Sequence, residues 1–129
     1  MPLEYTLTKN APAPLPGIYS QAVKAGGFLY TSGSVGMRTD GQMVPGTVQD
    51  RTRQVLENLR AVVQASGYTL GDAVKATCYL SNLERDFEAF NEVWKDVMPN
   101  PKPARTCIGV ARLPAGGTDV EIELVLYKD

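Results

Sequence analysis

The segment that decides the fold is VEIELVLY, residues 120–127, near the end of the 129-residue chain. Every second side chain in it is aliphatic: Val120, Ile122, Leu124 and Leu126. Successive side chains of a β-strand point to opposite faces of a sheet, so this set predicts a face covered by helices. The alternate set mixes charged and apolar groups: Glu121, Glu123, Val125 and Tyr127. It predicts a second face that is either wet or covered by another subunit.

Upstream of this strand, two segments carry apolar residues at helical spacing, which predicts two helices. The first, residues 47–67, has a capping-box-like start at Thr47 and Asp50 and a natural end at Gly67. Its apolar stripe consists of Val48, Thr52, Val55, Leu59, Val62 and Val63. The second, residues 82–98, is followed by closely spaced prolines. Its predicted buried stripe consists of Phe87, Phe90, Trp94 and Val97.

The other segments with β-prone patterns are predicted to be strands. Residues 3–8 alternate, and residues 20–27 and 28–36 form a hairpin that turns at Gly26 and Gly27. Residues 73–81 and 104–113 supply two more strands before the final one. The order is β-β-β-α-β-α-β-β. It predicts an α+β fold, with residues 1–129 as one domain in which both helices cover one face of a mixed six-stranded sheet.

Composition excludes several function classes. The chain has 13 basic and 14 acidic side chains, interspersed, for a net charge of -1. This balance argues against a nucleic-acid or anionic-membrane partner. The absence of histidine removes Ser-His-Asp and Cys-His catalysis and histidine-based metal sites. Cys78 and Cys107 are predicted to be free thiols, and no export signal, transit peptide or membrane span is recognisable, which predicts a cytoplasmic protein.

Three residues near the two last strands are the main candidates for chemistry. Arg105 offers a planar fork of donors that matches a carboxylate, so it can anchor an acidic small molecule. Glu121 can orient and polarise a water if its surroundings raise its pKa. The alternative for both is a structural ion pair, with Arg105 beside Glu121 or Glu123 on one sheet face. Cys107 shares the strand face of Arg105, but without histidine its backbone groups matter more than its sulfur.

Three polar side chains are weaker candidates for ligand contacts. The hydroxyls of Tyr19 and Ser32 stand beside glycines, where backbone can approach a ligand closely. Asn91 lies on the second predicted helix, either inside a cleft or simply exposed. Each of the three is also compatible with an ordinary local role.

Taken together, five segments resemble the RidA family, also called the YjgF family. They are NAPAP (10–14), GIYSQAV (17–23), YTSGS (30–34), PARTCIGVARLP (103–114) and VEIEL (120–124), and the resemblance covers essentially the whole chain. The most specific part is Arg-[Ser/Thr]-Cys with the VARLP that follows. The resemblance implies a chorismate-mutase-like fold, a homotrimer whose sheets form a central barrel, and sites in clefts between subunits.

The resemblance also implies an activity without cofactor or metal. The family hydrolyses reactive 2-enamines and 2-imines, such as 2-aminoacrylate and 2-iminobutanoate, to 2-oxo acids and ammonia. It implies that Arg105 binds the substrate carboxylate, that the backbone of Cys107 lies beside the substrate nitrogen, and that Glu121 positions the attacking water. Further substrate contacts are implied for Tyr19, Ser32 and Asn91. The chain departs from the common family pattern at Ile18, Ser34 and Gly109, which leaves substrate choice open.

Two other classes of function compete with this one. The same clefts suit a non-catalytic binder of small carboxylates or a chaperone-like trimer. Some family members also carry a ribonuclease or translation-inhibitor label. The near-neutral charge and the missing histidine weigh against that label.

Overall fold

The computed structural model describes residues 2–129 and contains a mixed sheet with two helices packed on one of its faces. The strands are β1 (Glu4–Thr6), β2 (Ala22–Ala25), β3 (Phe28–Thr31), β4 (Ser34–Val35), β5 (Ala73–Leu80), β6 (Ala104–Gly109) and β7 (Val120–Tyr127). The helices are α1 (Val48–Ala65) and α2 (Leu83–Val97), and a short 3₁₀ turn spans Leu70–Asp72. The α+β prediction is confirmed.

The sheet is centred on β7, which pairs with three other strands. Its main path runs β1-β2-β3-β7-β5-β6, and β4 pairs with β7 beside that path. All pairs are antiparallel except β5 with β6. The main path has the six strands predicted from the sequence. The seventh strand, β4, arises because the predicted second arm of the hairpin is interrupted after Thr31.

The alternation along β7 is confirmed. Val120, Ile122, Leu124 and Leu126 are buried, whereas Glu121, Glu123 and Val125 are half-buried and Tyr127 is exposed. The face opposite the helices also exposes Tyr5, Phe28, Tyr30 and Ile108, which the strand registers place on the same side as Tyr127. We call this side the uncovered face.

Helix α1 forms as predicted. The Thr47 hydroxyl accepts from the Asp50 backbone N–H, and the Asp50 carboxylate accepts in return from the Thr47 N–H at 2.9 Å. The chain leaves the helix through Gly67, whose φ of +83° favours glycine. All six residues of the predicted stripe are buried.

The predicted buried stripe of α2 is wrong at Phe87. Phe90 and Trp94 are buried, but Phe87 is 39% exposed. The reason is that β6 is the last strand of the sheet, so no further strand extends under the flank of α2 that carries Phe87. Val97 is half-buried, and Val93 completes the packed face.

A buried ion pair ties α1 to the start of β7. The Arg51 guanidinium donates through Nε and Nη2 to the two carboxylate oxygens of Asp119, at 2.7 and 2.8 Å. Its third nitrogen, Nη1, donates to the carbonyls of Val44 and Gly46. The two side chains are only 14% and 11% exposed. Asp119 precedes β7 directly, so this pair fixes the point at which the central strand begins.

We predict that Arg51→Met lowers the free energy of unfolding by about 3 kcal/mol, because it leaves the buried Asp119 carboxylate without its main partner. Arg53→Met is the matched control, since the Arg53–Asp96 pair is 55% and 67% exposed and should contribute less than about 1 kcal/mol. Urea unfolding of both variants measures the difference. Equal losses would contradict the role assigned to the Arg51–Asp119 pair.

Candidate active site

Four of the six predicted site residues line one or the other of two separate cavities, and Arg105 and Asn91 line neither. Tyr19, Ser32 and Glu121 line one cavity of about 560 Å³, which we call the glutamate cleft. Cys107 lines a second cavity of about 430 Å³, with Phe87 and the first turns of α2. Arg105 does not itself line this second cavity, but its guanidinium carbon lies 6.0 Å from the ring centroid of Phe87, which does, and we call the cavity the arginine cleft.

Arg105 does not share a sheet face with Glu121 and Glu123, which corrects the prediction. It lies opposite Ala76 on β5, and Ala76 lies opposite Leu124 on β7, so its side chain shares the helix-covered side. The guanidinium carbon lies 5.3 Å from the ring centroid of Trp94 on α2. The structural ion pair with Glu121 or Glu123 is therefore not formed within one chain.

No described residue in the range 2–129 makes a salt bridge or a side-chain hydrogen bond with the Arg105 guanidinium. Arg51 and Arg85 differ, because each is bound by a carboxylate through two of its nitrogens. The donors of Arg105 therefore remain available for a planar anion such as a carboxylate.

The thiols of the two cysteines lie side by side in the parallel pair β5–β6. Burial raises the pKa of Cys78 to about 12. Burial also raises the pKa of Cys107, and the nearby charge of Arg105 only partly opposes this effect. Both cysteines are free, as predicted, and neither has the lowered pKa of an activated nucleophile.

In the glutamate cleft, a break between β3 and β4 brings backbone against the Glu121 side chain. Tyr30 pairs with Val125 and Ser34 with Ile122, so β3–β4 contains one residue more than the matching part of β7. The Thr31 hydroxyl fills the gap by accepting from the Leu124 N–H at 2.9 Å. The extra residue makes a bulge of the kind found next to active sites.

Gly33 stands at this bulge, where a Cβ would collide with the Glu121 carboxylate. A side chain at position 33 would therefore force Glu121 out of its observed position. The preceding Ser32 donates its hydroxyl proton to the Ser20 carbonyl at 2.6 Å, which holds the bulge to the loop that carries Tyr19. Gly33 was not singled out from the sequence, although its place in the YTSGS motif is a signal for it.

Gln21 is the second residue that the sequence analysis missed. Its amide accepts from the Thr8 N–H at 2.7 Å and donates to the carbonyls of Thr8 and Pro12. These bonds hold the proline-rich loop in place as one wall of the glutamate cleft. Its place in the GIYSQAV segment is a signal for Gln21, but its role could not be predicted because it depends on a loop that folds back on the strand.

The Glu121 carboxyl has an unusual environment. Partial burial raises its pKa, and the neighbouring charge of Glu123 raises it further. Glu123 accepts a hydrogen bond of 2.6 Å from the Tyr79 hydroxyl, and this bond raises the pKa of Tyr79 to about 12. A carboxylate with a raised pKa in a cleft suits general acid–base chemistry.

Asn91 lies on α2 with its side-chain oxygen buried and without a hydrogen-bond partner among the described residues. A buried acceptor left unpaired costs about 1–3 kcal/mol, a cost that a water or another donor at this position would offset. Asn91 lines neither of the two cavities described above.

Within residues 2–129, no helix has the length and apolar character needed to cross a bilayer. The same residues contain no group of three or more His, Cys, Asp or Glu side chains arranged to hold a metal ion.

Comparison with known proteins identifies the family. Residues 8–128 match the family model described as Endoribonuclease L-PSP. This is the model of the RidA (YjgF) family. The chain belongs to the RidA family. A relative named 2-iminobutanoate/2-iminopropanoate deaminase, from Dermatophagoides farinae, is 44% identical over 121 residues, covering 92% of this chain and 91% of the relative.

Solved structures agree with the fold of this RidA family member. RidA from an Antarctic Psychrobacter superposes with a TM-score of 0.90 at 40% identity, covering 97% of this chain and 99% of the other. TdcF from Escherichia coli, solved with bound serine, gives a TM-score of 0.89 at 36% identity, covering 98% and 99%. The predicted chorismate-mutase-like arrangement of two helices on one mixed sheet is thereby confirmed.

We predict that a native-state thiol assay with Ellman's reagent at pH 8 modifies at most one thiol per chain, Cys107, and modifies it slowly. Burial raises the pKa of Cys107, so its modification rate should rise as the pH increases. Arg105→Met should slow the reaction several-fold, because it removes the charge that opposes this shift. Cys107→Ser is the control, and a fast reaction of Cys78 would contradict this assignment.

Proposed function

We propose that this protein hydrolyses 2-imino and 2-enamino acids to 2-oxo acids and ammonia, without a cofactor, and so removes reactive metabolites. The observation that carries the proposal is the Arg105 guanidinium, whose donors are not bound to any carboxylate of the described chain and which lies against Phe87, a residue that lines the arginine cleft. Such a group suits the carboxylate that all these substrates share. The deaminase name of the Dermatophagoides relative and the serine bound to TdcF support a small amino-acid-like ligand.

We further propose that the complete site forms between subunits of a homotrimer. Each chain carries an anchor, Arg105, and an acid–base group, Glu121, on opposite sides of its own sheet. The uncovered face exposes Tyr5, Tyr30 and Tyr127, and exposed apolar patches of this kind mark contact surfaces. Because β6 is the last strand of the sheet, we propose that packing these faces also brings the arginine cleft at that edge beside the glutamate cleft of the next subunit.

In this mechanism the substrate carboxylate binds Arg105 in two parallel hydrogen bonds. Glu121, as a carboxylate, accepts a proton from a water whose oxygen forms a bond to the imine carbon, and then gives this proton to the nitrogen, which produces a carbinolamine. Glu121 next accepts the hydroxyl proton of the carbinolamine as the C=O bond forms and returns it to the nitrogen, so that the C–N bond breaks and ammonia leaves. An imine needs no strong nucleophile, so orientation and charge supply the acceleration.

The other site residues have supporting roles in this proposal. The backbone of Cys107 lies beside the substrate nitrogen, and the pKa of its thiol makes the sulfur unsuited to covalent attack. Tyr19 and Ser32 contact the substrate from the glutamate cleft, and the unpaired oxygen of Asn91 is a candidate acceptor. A cytoplasmic location stays a prediction.

We predict that Arg105→Lys lowers kcat/KM about 100-fold, because an ammonium cannot form the two parallel hydrogen bonds of a guanidinium. The assay feeds 2-iminobutanoate from a threonine dehydratase and follows 2-oxobutanoate and ammonia. Arg112→Lys, at an exposed loop position outside both clefts, is the matched control and should keep the wild-type rate. No acceleration over buffer by the wild-type protein would refute the proposed function.

We predict that Glu123→Gln moves the acidic limb of the kcat/KM profile to lower pH, because it removes the charge of Glu123 that helps to raise the pKa of Glu121. Glu121 must be deprotonated to accept a proton from water, so activity falls as the pH drops through its raised pKa. Burial still raises that pKa in the variant, but the contribution of Glu123 is gone. Glu121→Gln should remove the limb with most of the activity, and an unshifted limb in Glu123→Gln would count against Glu121 as the base.

Two alternatives have distinct outcomes. A non-catalytic carboxylate binder or chaperone-like trimer would bind 2-oxobutanoate saturably and produce no turnover. A ribonuclease, the activity that the family model's description carries, would cleave RNA at a rate that survives repurification and Arg105→Lys. The net charge of -1 disfavours a surface for RNA.

A further inference from the structure

We propose that Phe87, Phe90 and Trp94 are positioning residues that hold the Arg105 guanidinium through their ring faces and leave its N–H donors free for the ligand. We call these three side chains the aromatic cage. The inference rests on the proposed function for the nature of the ligand, but the cage itself is defined by the geometry of α2 and β6.

The cage is one face of α2. Its members recur at intervals of three and four residues, so the helix presents them on the same side. The guanidinium carbon lies 5.3 Å from the Trp94 ring centroid, 5.5 Å from that of Phe90 and 6.0 Å from that of Phe87. All three distances are within the range of attraction between a cation and an aromatic ring.

Contact with ring faces stabilises the charge without using hydrogen bonds. The five N–H donors of a guanidinium lie in its plane, whereas ring quadrupoles attract the whole cation. Arg51 shows the contrasting arrangement, since its donors are bound to Asp119 and to two backbone carbonyls. Arg51 therefore has few N–H donors left for a ligand, whereas the N–H donors of Arg105 in the aromatic cage stay unbound.

The three rings of the aromatic cage differ in how deeply they are buried. Phe90 and Trp94 are 0% and 6% exposed, and their rings pack against each other at 6.2 Å between centroids. They form the fixed floor of the cage as well as part of the core. Phe87 lines the arginine cleft with Cys107 and is 39% exposed, so its ring can be changed with little damage to the core.

Trp94 supplies a direct readout, because it is the only tryptophan of the chain. A carboxylate that binds Arg105 changes the charge distribution beside this indole. Tryptophan emission should therefore respond to 2-oxobutanoate, a stable carboxylate product, whether or not the protein turns over an imine.

The experiment compares wild type with Phe87→Leu and Phe87→Tyr. We expect Phe87→Leu to raise the KM for 2-iminobutanoate about fivefold with kcat within about twofold, and to weaken the Kd for 2-oxobutanoate from Trp94 emission by the same factor. Phe87→Tyr keeps the ring and should match wild type in both. Phe87→Met serves as a second non-aromatic variant, and thermal melts confirm that each variant is folded.

The outcomes separate the cage from the proposed function. Equal Kd and KM values in all variants, or an equal loss in Phe87→Tyr and Phe87→Leu, would overturn the cage. Weaker 2-oxobutanoate binding in Phe87→Leu but not in Phe87→Tyr supports the cage even if no variant turns over 2-iminobutanoate, a result that refutes the enzyme alone. Absence of both turnover and emission response in wild type overturns both.

Discussion

The two-sidedness of β7 is the constraint on which the rest of the structure depends. This strand pairs with β3 and β4 along one of its edges and with β5 along the other, so it sets the register of all three. Its aliphatic side chains are buried under the helices, and the burial of each contributes about 1.5–3 kcal/mol to the stability of the fold. A shift by one residue would turn these groups outward and bury Glu121 and Glu123 instead, which no salt bridge within the described chain would offset. The packing that stabilises the fold therefore also fixes where the carboxylates stand.

Much of this arrangement could be predicted from the sequence, because period and capping are local properties. The stripe of α1, its capping box and the alternation of β7 each depend on residues close together in the chain.

The side on which Arg105 lies could not be predicted in this way. β6 has no strong alternation, and the charge of Arg105 favoured a pairing with the glutamates of β7. The parallel register with β5 decides otherwise, because Arg105 stands opposite Ala76. Phe87 was misplaced for a related reason, since its exposure depends on β6 being an edge strand. Gln21 and Gly33 act through a folded-back loop and a bulge, both of which arise from distant contacts.

The two charged candidates are prepared by different physical means. Glu121 is perturbed by partial desolvation and by a like charge, both of which disfavour its ionised form. Arg105 lies against aromatic rings, which stabilise its charge without accepting hydrogen bonds from its N–H donors. One group is thus made more ready to hold a proton and the other is kept ready to bind an anion. The family resemblance alone did not explain how one chain provides both a carboxyl with a raised pKa and a guanidinium with unbound donors.

The separation of Arg105 and Glu121 across the sheet has a genetic consequence. A chain that lacks one of them keeps the other half of the site intact on its opposite face. If sites form between neighbouring chains, two alleles that each abolish activity complement one another in a mixed assembly. Some of its sites then combine an intact Arg105 from one mutant chain with an intact Glu121 from the other. A single substitution at the contact between subunits would by contrast disable both halves at once. Loss-of-function alleles of this gene would then fall into two complementing groups and a third, non-complementing one.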